Sequence, residues 1–74
     1  MVLAIMETEH FEFVVFGDST TDAENQMNRA FALHLKEYDK EWEMDELPTD
    51  YYGVRTVPVV NHAAYRDGER IKGL

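Results

Sequence analysis

The run FEFVVF (residues 11–16) is apolar except for one glutamate, and it stops at Gly17. Aromatic and β-branched residues in a run too short for a helix predict a strand. So nearly continuous a run predicts a central one, covered on both faces. MVLAIM at residues 1–6 is as apolar, but too short for periodicity to choose between a further strand and an irregular lead-in. GDSTTDAENQ then supplies a turn and a helix start. Thr21 and Glu24 have the spacing of a capping box, and Asp22 and Glu24 suit the positive end of a helix dipole. From there Ala23, Met27, Ala30, Phe31 and His34 share one helical stripe with Leu35 beside it, which predicts a helix over residues 20–37.

Further on, Tyr38, Lys40, Trp42 and Met44 alternate with Asp39, Glu41 and Glu43, the pattern of a half-buried second strand. DELPTDYYG predicts a short helix or turn closed by Gly53. Val57 to about Tyr65 follows as a third strand, Arg66-Asp67-Gly68-Glu69 as a hairpin turn, and Glu69–Leu74 as a fourth strand. The predicted order is β-α-β-(α)-β-β, in a single domain spanning residues 1–74. The first two strands would be parallel through a right-handed crossover, and the last two would form an antiparallel hairpin. Pro58 stands out within VRTVPVV, because proline donates no backbone hydrogen bond and is confined to strand starts, edges and bulges. Either it only marks a strand start, or its backbone is held in a special geometry.

Composition narrows the chemistry. A chain of 74 residues buries only about 60% of its unfolded surface, so its core is small and gains from a partner or a second copy. The absence of cysteine excludes disulfides, thiolate metal sites and thiol redox chemistry. Fifteen acidic against seven basic residues give a formal net charge of −8. That opposes direct binding of nucleic acid and of anionic membranes, and fits either a protein partner with a basic surface or mere solubility. MVLAIM lacks the length of a membrane span and the basic flank of a signal peptide, so the expected location is the cytoplasm. His10, His34 and His62 have no metal-ligand spacing and no nucleotide-binding motif is present, so no metal and no cofactor is expected.

The stretches VRTVPVV and RDGERIKGL, together with FVVFGDSTTDAENQMNRAF, resemble the thioredoxin superfamily, closest to the small glutaredoxin-like redoxins. The resemblance covers roughly residues 11–74. It implies a thioredoxin-like α/β fold with a four-stranded mixed sheet, truncated at the C-terminus because the family's last helix is missing. It also implies that Val57–Pro58 matches the family's cis-proline, Asp67-Gly68 its hairpin, and Gly73 the glycine after its fourth strand. The positions of its two cysteines fall near Thr21 and Glu24, so the redox chemistry would be lost. The missing helix would leave an apolar sheet face that MVLAIM or a second copy, as in a homodimer, would cover.

These considerations lead to a redox-inactive, non-enzymatic protein-binding module. It would be a small regulatory or inhibitory protein, of the type that includes the host-directed proteins of bacteriophages. Its candidate contact residues are Asp18, Thr20 and Thr21 in the loop before the helix, and Val57 and Pro58, whose backbone would pair with an extended peptide. The acidic residues Glu41, Glu43, Asp45 and Glu46 would face a basic partner. The competing expectation is an acidic nucleic-acid mimic that blocks the DNA-binding surface of a basic protein. For STTDAE, helix capping accounts for the hydroxyls without invoking a nucleophile. For the acidic run, a solvated face is the plainer account.

Overall fold

The structure, a computed structural model, describes residues 1–59, 65–67 and 69–72. Its elements are β1 (Val2–Glu7), β2 (Glu12–Gly17), α1 (Thr20–Glu37), α2 (Pro48–Tyr52), β3 (Arg55–Pro58), β4 (Tyr65–Arg66) and β5 (Glu69–Arg70). The main sheet has three strands in the order β2-β1-β3, and both pairings are antiparallel. β4 and β5 form a separate two-stranded ladder.

This corrects the expected four-stranded mixed sheet. MVLAIM is neither a lead-in nor a cover: it is the central strand. It makes a hairpin with β2 in which Val2 faces Gly17 and Glu7 faces Glu12. The turn is closed by the Thr8 amide on the Phe11 carbonyl at 2.8 Å, while the Phe11 amide donates to the Thr8 hydroxyl. With the central place taken, β2 becomes an edge strand. The parallel crossover has no strand to return to.

The second strand expected at residues 38–44 is absent for a local reason. Tyr38 caps α1, and Asp39 adopts a left-handed conformation (φ 59°). The Lys40 amide then reaches back to the Leu35 carbonyl (2.8 Å), and the Asp39 amide to that of Lys36 (3.2 Å). This is a Schellman ending, and it turns the chain away from any extended path. Tyr38 and Met44 remain exposed, so the aromatic alternation reflects no buried face; only Trp42 turns inward, onto the core.

α1 spans the predicted residues but starts differently. Ser19, not Thr21, is the N-cap: its hydroxyl accepts from the Asp22 amide at 3.1 Å, and the Asp22 carboxylate accepts from the Asp18 amide at 2.8 Å. The buried stripe is Ala23, Met27 and Phe31, packed on Ala4 and Met6 of β1. Val2, Phe13, Val15, Leu35, Trp42, Tyr52 and Val54, partly buried, pack against this cluster. At Gly17 the sheet and the start of α1 approach closely. A β-carbon there would lie 2.4 Å from the Ala23 nitrogen and 2.6 Å from its Cα.

α2 is short and has no side-chain cap of its own. Asn28, on α1, supplies one: its amide oxygen accepts from the Thr49 amide (3.3 Å) and its amide nitrogen donates to the Thr49 hydroxyl (3.1 Å). Gly53 ends α2 at φ 81°, a conformation that strains any residue with a β-carbon.

Pro58 now has an explanation. The Val57–Pro58 bond is trans, which corrects the cis-proline expectation. The Val59 amide donates to the Met1 carbonyl at 3.0 Å. Antiparallel ladders alternate, so Arg55, Val57 and Val59 bond inward to β1 while Thr56 and Pro58 turn their backbone outward. The missing N–H of proline thus falls on the side of β3 that no described strand occupies, where no bond to β1 is lost and further pairing is discouraged. β4 and β5 pair as an antiparallel ladder on either side of the predicted turn, with Tyr65 opposite Arg70 and Arg66 opposite Glu69. The predicted third and fourth strands are shorter where they are described, since Val59, Ile71 and Lys72 lie outside any strand; residues 60–64 of the third, Gly73 and Leu74 of the fourth, and Gly68 of the predicted turn lie outside the described residues.

Candidate functional site: two separate surfaces

The predicted contact residues fall into two groups. Gly17, Val2 and Pro58 form one row across the sheet, so the α1 entry and the end of β3 share an end of the molecule, about 10 Å apart across three strands. Asp18, Thr20 and Thr21 are exposed there, and Pro58 is exposed beside them. Val57 is buried at 4% exposure, and its backbone is committed to β1, so it offers no edge to an incoming peptide.

Glu41, Glu43, Asp45 and Glu46 belong to the other group. They sit in the loop that follows α1, whose eighteen residues set its two ends roughly 27 Å apart. All four are exposed. The loop is anchored by Trp42, whose indole N–H donates to the Glu46 carbonyl at 2.7 Å. The Trp42 ring packs edge-on against Phe31 (5.4 Å between centroids) and Tyr51 (5.5 Å). The anchor leaves Met44 exposed between its two ends, and Leu47 at the start of α2 and Tyr51 on α2 are exposed beside it, among the carboxylates of Glu43, Asp45, Glu46 and Asp50. The result is an acidic surface with apolar side chains set into it.

Two concavities flank the sheet. An open cleft of about 390 Å³ is lined by Ile5, Glu7, Tyr52, Gly53, Val54 and Arg55. A smaller one of about 200 Å³ lies by the β1–β2 turn, where His34 sits within an aromatic cluster, its ring 4.6 Å from Phe11 and 4.9 Å from Tyr38. No group of three potential metal ligands occurs among the described residues. No described helix is long and apolar enough to cross a membrane.

What the sequence reading missed is the outer edge of β2. The hairpin that creates this edge has its signal in MVLAIM and FEFVVF, two six-residue apolar runs separated only by ETEH, but which strand stands at the edge follows only from the sheet order. Comparison with protein-family models, with curated proteins and with solved structures finds no match to this chain. The resemblance to redoxins therefore stands on the quoted stretches alone, and the sheet order is not the one it implies.

Proposed function

We propose that this protein is a non-enzymatic protein-binding module that acts as a regulator or inhibitor of a partner with a basic surface. The observation that carries the reading is the loop after α1. There Trp42 fixes a short segment that exposes Met44, and Leu47 and Tyr51 at the adjoining α2 are exposed with it among acidic residues. Apolar and aromatic side chains exposed within a charged rim have the composition of an interaction surface, and the carboxylates would steer a basic partner to it. The Asp18–Thr21 group is a secondary contact at the far end of α1, where the Ser19 hydroxyl and the neighbouring Asp22 carboxylate serve helix capping. With no thiol in the chain, the module would act by contact and not by redox exchange.

The test is affinity capture from extract, with quantitative mass spectrometry. It compares the native chain, a variant with Glu41, Glu43, Asp45 and Glu46 changed to glutamine, and a variant with Met44 and Leu47 changed to serine. The proposal expects one basic protein to be retained by the native chain and lost from both variants. A protein lost with the carboxylates but kept without the apolar residues would favour the acidic nucleic-acid mimic. Retention indifferent to all six changes would overturn the reading.

A further inference from the structure

The two edges of the main sheet are not alike. On β3 the outward backbone positions include Pro58, which cannot donate. On β2 the hairpin bond from Thr8 to Phe11 fixes the alternation the other way round: Phe11, Phe13, Val15 and Gly17 bond inward to β1, and Glu12, Val14 and Phe16 turn their N–H and C=O groups outward. No proline, bulge or lysine blunts this edge, and no described strand pairs with it. The side chains of the same three residues lie on the sheet face opposite α1, where Val14 is 48% and Phe16 57% exposed. The chain thus guards one edge and leaves the other open beside exposed apolar residues.

Charge selects the occupant. Glu12 stands directly across from Glu7 on that face, a like-charge cross-strand pair that disfavours the free sheet and would be relieved by a cation alongside. Arg55 is on the same face but opposite Ile5, two strands from Glu12. The acidic end of the edge also adjoins the end of α1. Phe11, the residue before Glu12, packs within 5.7 Å of Tyr38, and the acidic loop follows directly. A second copy is the poorer fit. It brings a further −8, and a six-residue strand edge buries far less than the roughly 800 Å² per partner of a stable interface.

We infer that the β2 edge accepts an extended segment of a basic partner as an added antiparallel strand. Antiparallel pairing places the partner's side chains opposite Phe16, Val14 and Glu12 in that order. The segment recognised therefore reads apolar-x-apolar-x-Lys/Arg from its N- to its C-terminus, with the basic residue against Glu12. This deepens the proposed function and rests on it for the identity of the partner as a protein.

The experiment uses the full chain and a capped nine-residue synthetic peptide with Val-Thr-Ile-Thr-Lys at its centre. Fluorescence anisotropy measures affinity, and amide hydrogen exchange measures protection. Expected results are saturable binding and new protection at the amides of Glu12, Val14 and Phe16, with Phe13 and Val15 already protected in the free chain. Changing the peptide lysine to glutamate should weaken binding roughly tenfold, and Glu12→Lys should reverse that preference. Val14→Pro should abolish binding. Should that variant fail to fold, N-methylation of the peptide isoleucine removes the same bonding without touching the protein. No binding, binding unchanged by N-methylation, or occupation of the edge by a second copy in sedimentation equilibrium would each overturn the inference. Should the peptide fail while loop-dependent capture persists, the edge inference falls and the binding-module reading stands. Should the peptide bind while capture proves independent of the loop, the loop reading falls and the edge inference stands.

Discussion

Replacing Gly17 by alanine sets two physical effects against each other, and their sizes decide the outcome. Gly17 closes β2, and its φ is not in the left-handed region, so on backbone grounds alanine should fit and should stabilise the strand by about 0.5–1 kcal/mol. The added methyl, however, would lie 2.4 Å from the Ala23 nitrogen, 2.6 Å from its Cα and 2.9 Å from its Cβ, against an ordinary carbon contact of about 3.5–4 Å. Two of those three atoms are helix backbone, which no rotamer change can move. α1 must shift outward by on the order of 1 Å and loosen Met27 and Phe31 from Ala4 and Met6. Overpacking of this kind costs about 1–3 kcal/mol, and the rigid obstacle points to the upper end. The net loss is about 2 kcal/mol, set against roughly 4–11 kcal/mol for a chain of this length. Thermal unfolding followed by circular dichroism should show the Tm fall by roughly 8–16 °C. Adding Ala23→Gly removes only the contact at 2.9 Å, so the double variant should remain destabilised. A Gly17→Ala protein as stable as the native one would refute the close packing of β2 on α1.

Asp39→Gly should stabilise by about 0.5–1 kcal/mol, since glycine takes the left-handed position of the Schellman ending without strain; urea titration would show a higher midpoint at constant slope. Asn28→Ala should cost about 1–3 kcal/mol, because it leaves the buried Thr49 amide and hydroxyl without their partner and uncaps α2; loss of amide protection at Thr49 and a lower urea midpoint would confirm it. Pro58→Ala should change stability by less than about 1 kcal/mol, since the restored N–H points away from β1; a loss of several kcal/mol would mean that the proline does more than blunt an edge.

The helix was legible because its signals are local: a polar start, an apolar stripe at 3.6 spacing, and an end near Glu37. Its cap was misplaced by two residues, since Ser19-x-x-Asp22 and Thr21-x-x-Glu24 offer nearly the same chemistry and only the path from Gly17 selects between them. The sheet was misread through one element. MVLAIM is too short for periodicity to decide, and its role depends on pairing with FEFVVF, a long-range choice that no window contains. Placing it at the centre removes the need for a strand at residues 38–44 and turns FEFVVF from an interior strand into an edge. The acidic candidate residues were picked out by composition, and their exposure follows from it. The open β2 edge could not be found before the sheet order was known, because it exists only through what fails to pair there.

The central claim, that the chain works by protein contact through the loop anchored by Trp42, is tested most directly by a photo-crosslinking side chain at position 44 in the cells that make the protein. Met44 is exposed and no part of the core, so the substitution leaves the fold intact. An identical side chain at Arg29, exposed on α1, serves as control. The account predicts one discrete crosslinked protein of basic character from position 44, none from position 29, and loss of the product when Glu41, Glu43, Asp45 and Glu46 are neutralised. No crosslink from position 44, or the same products from both positions, would contradict it.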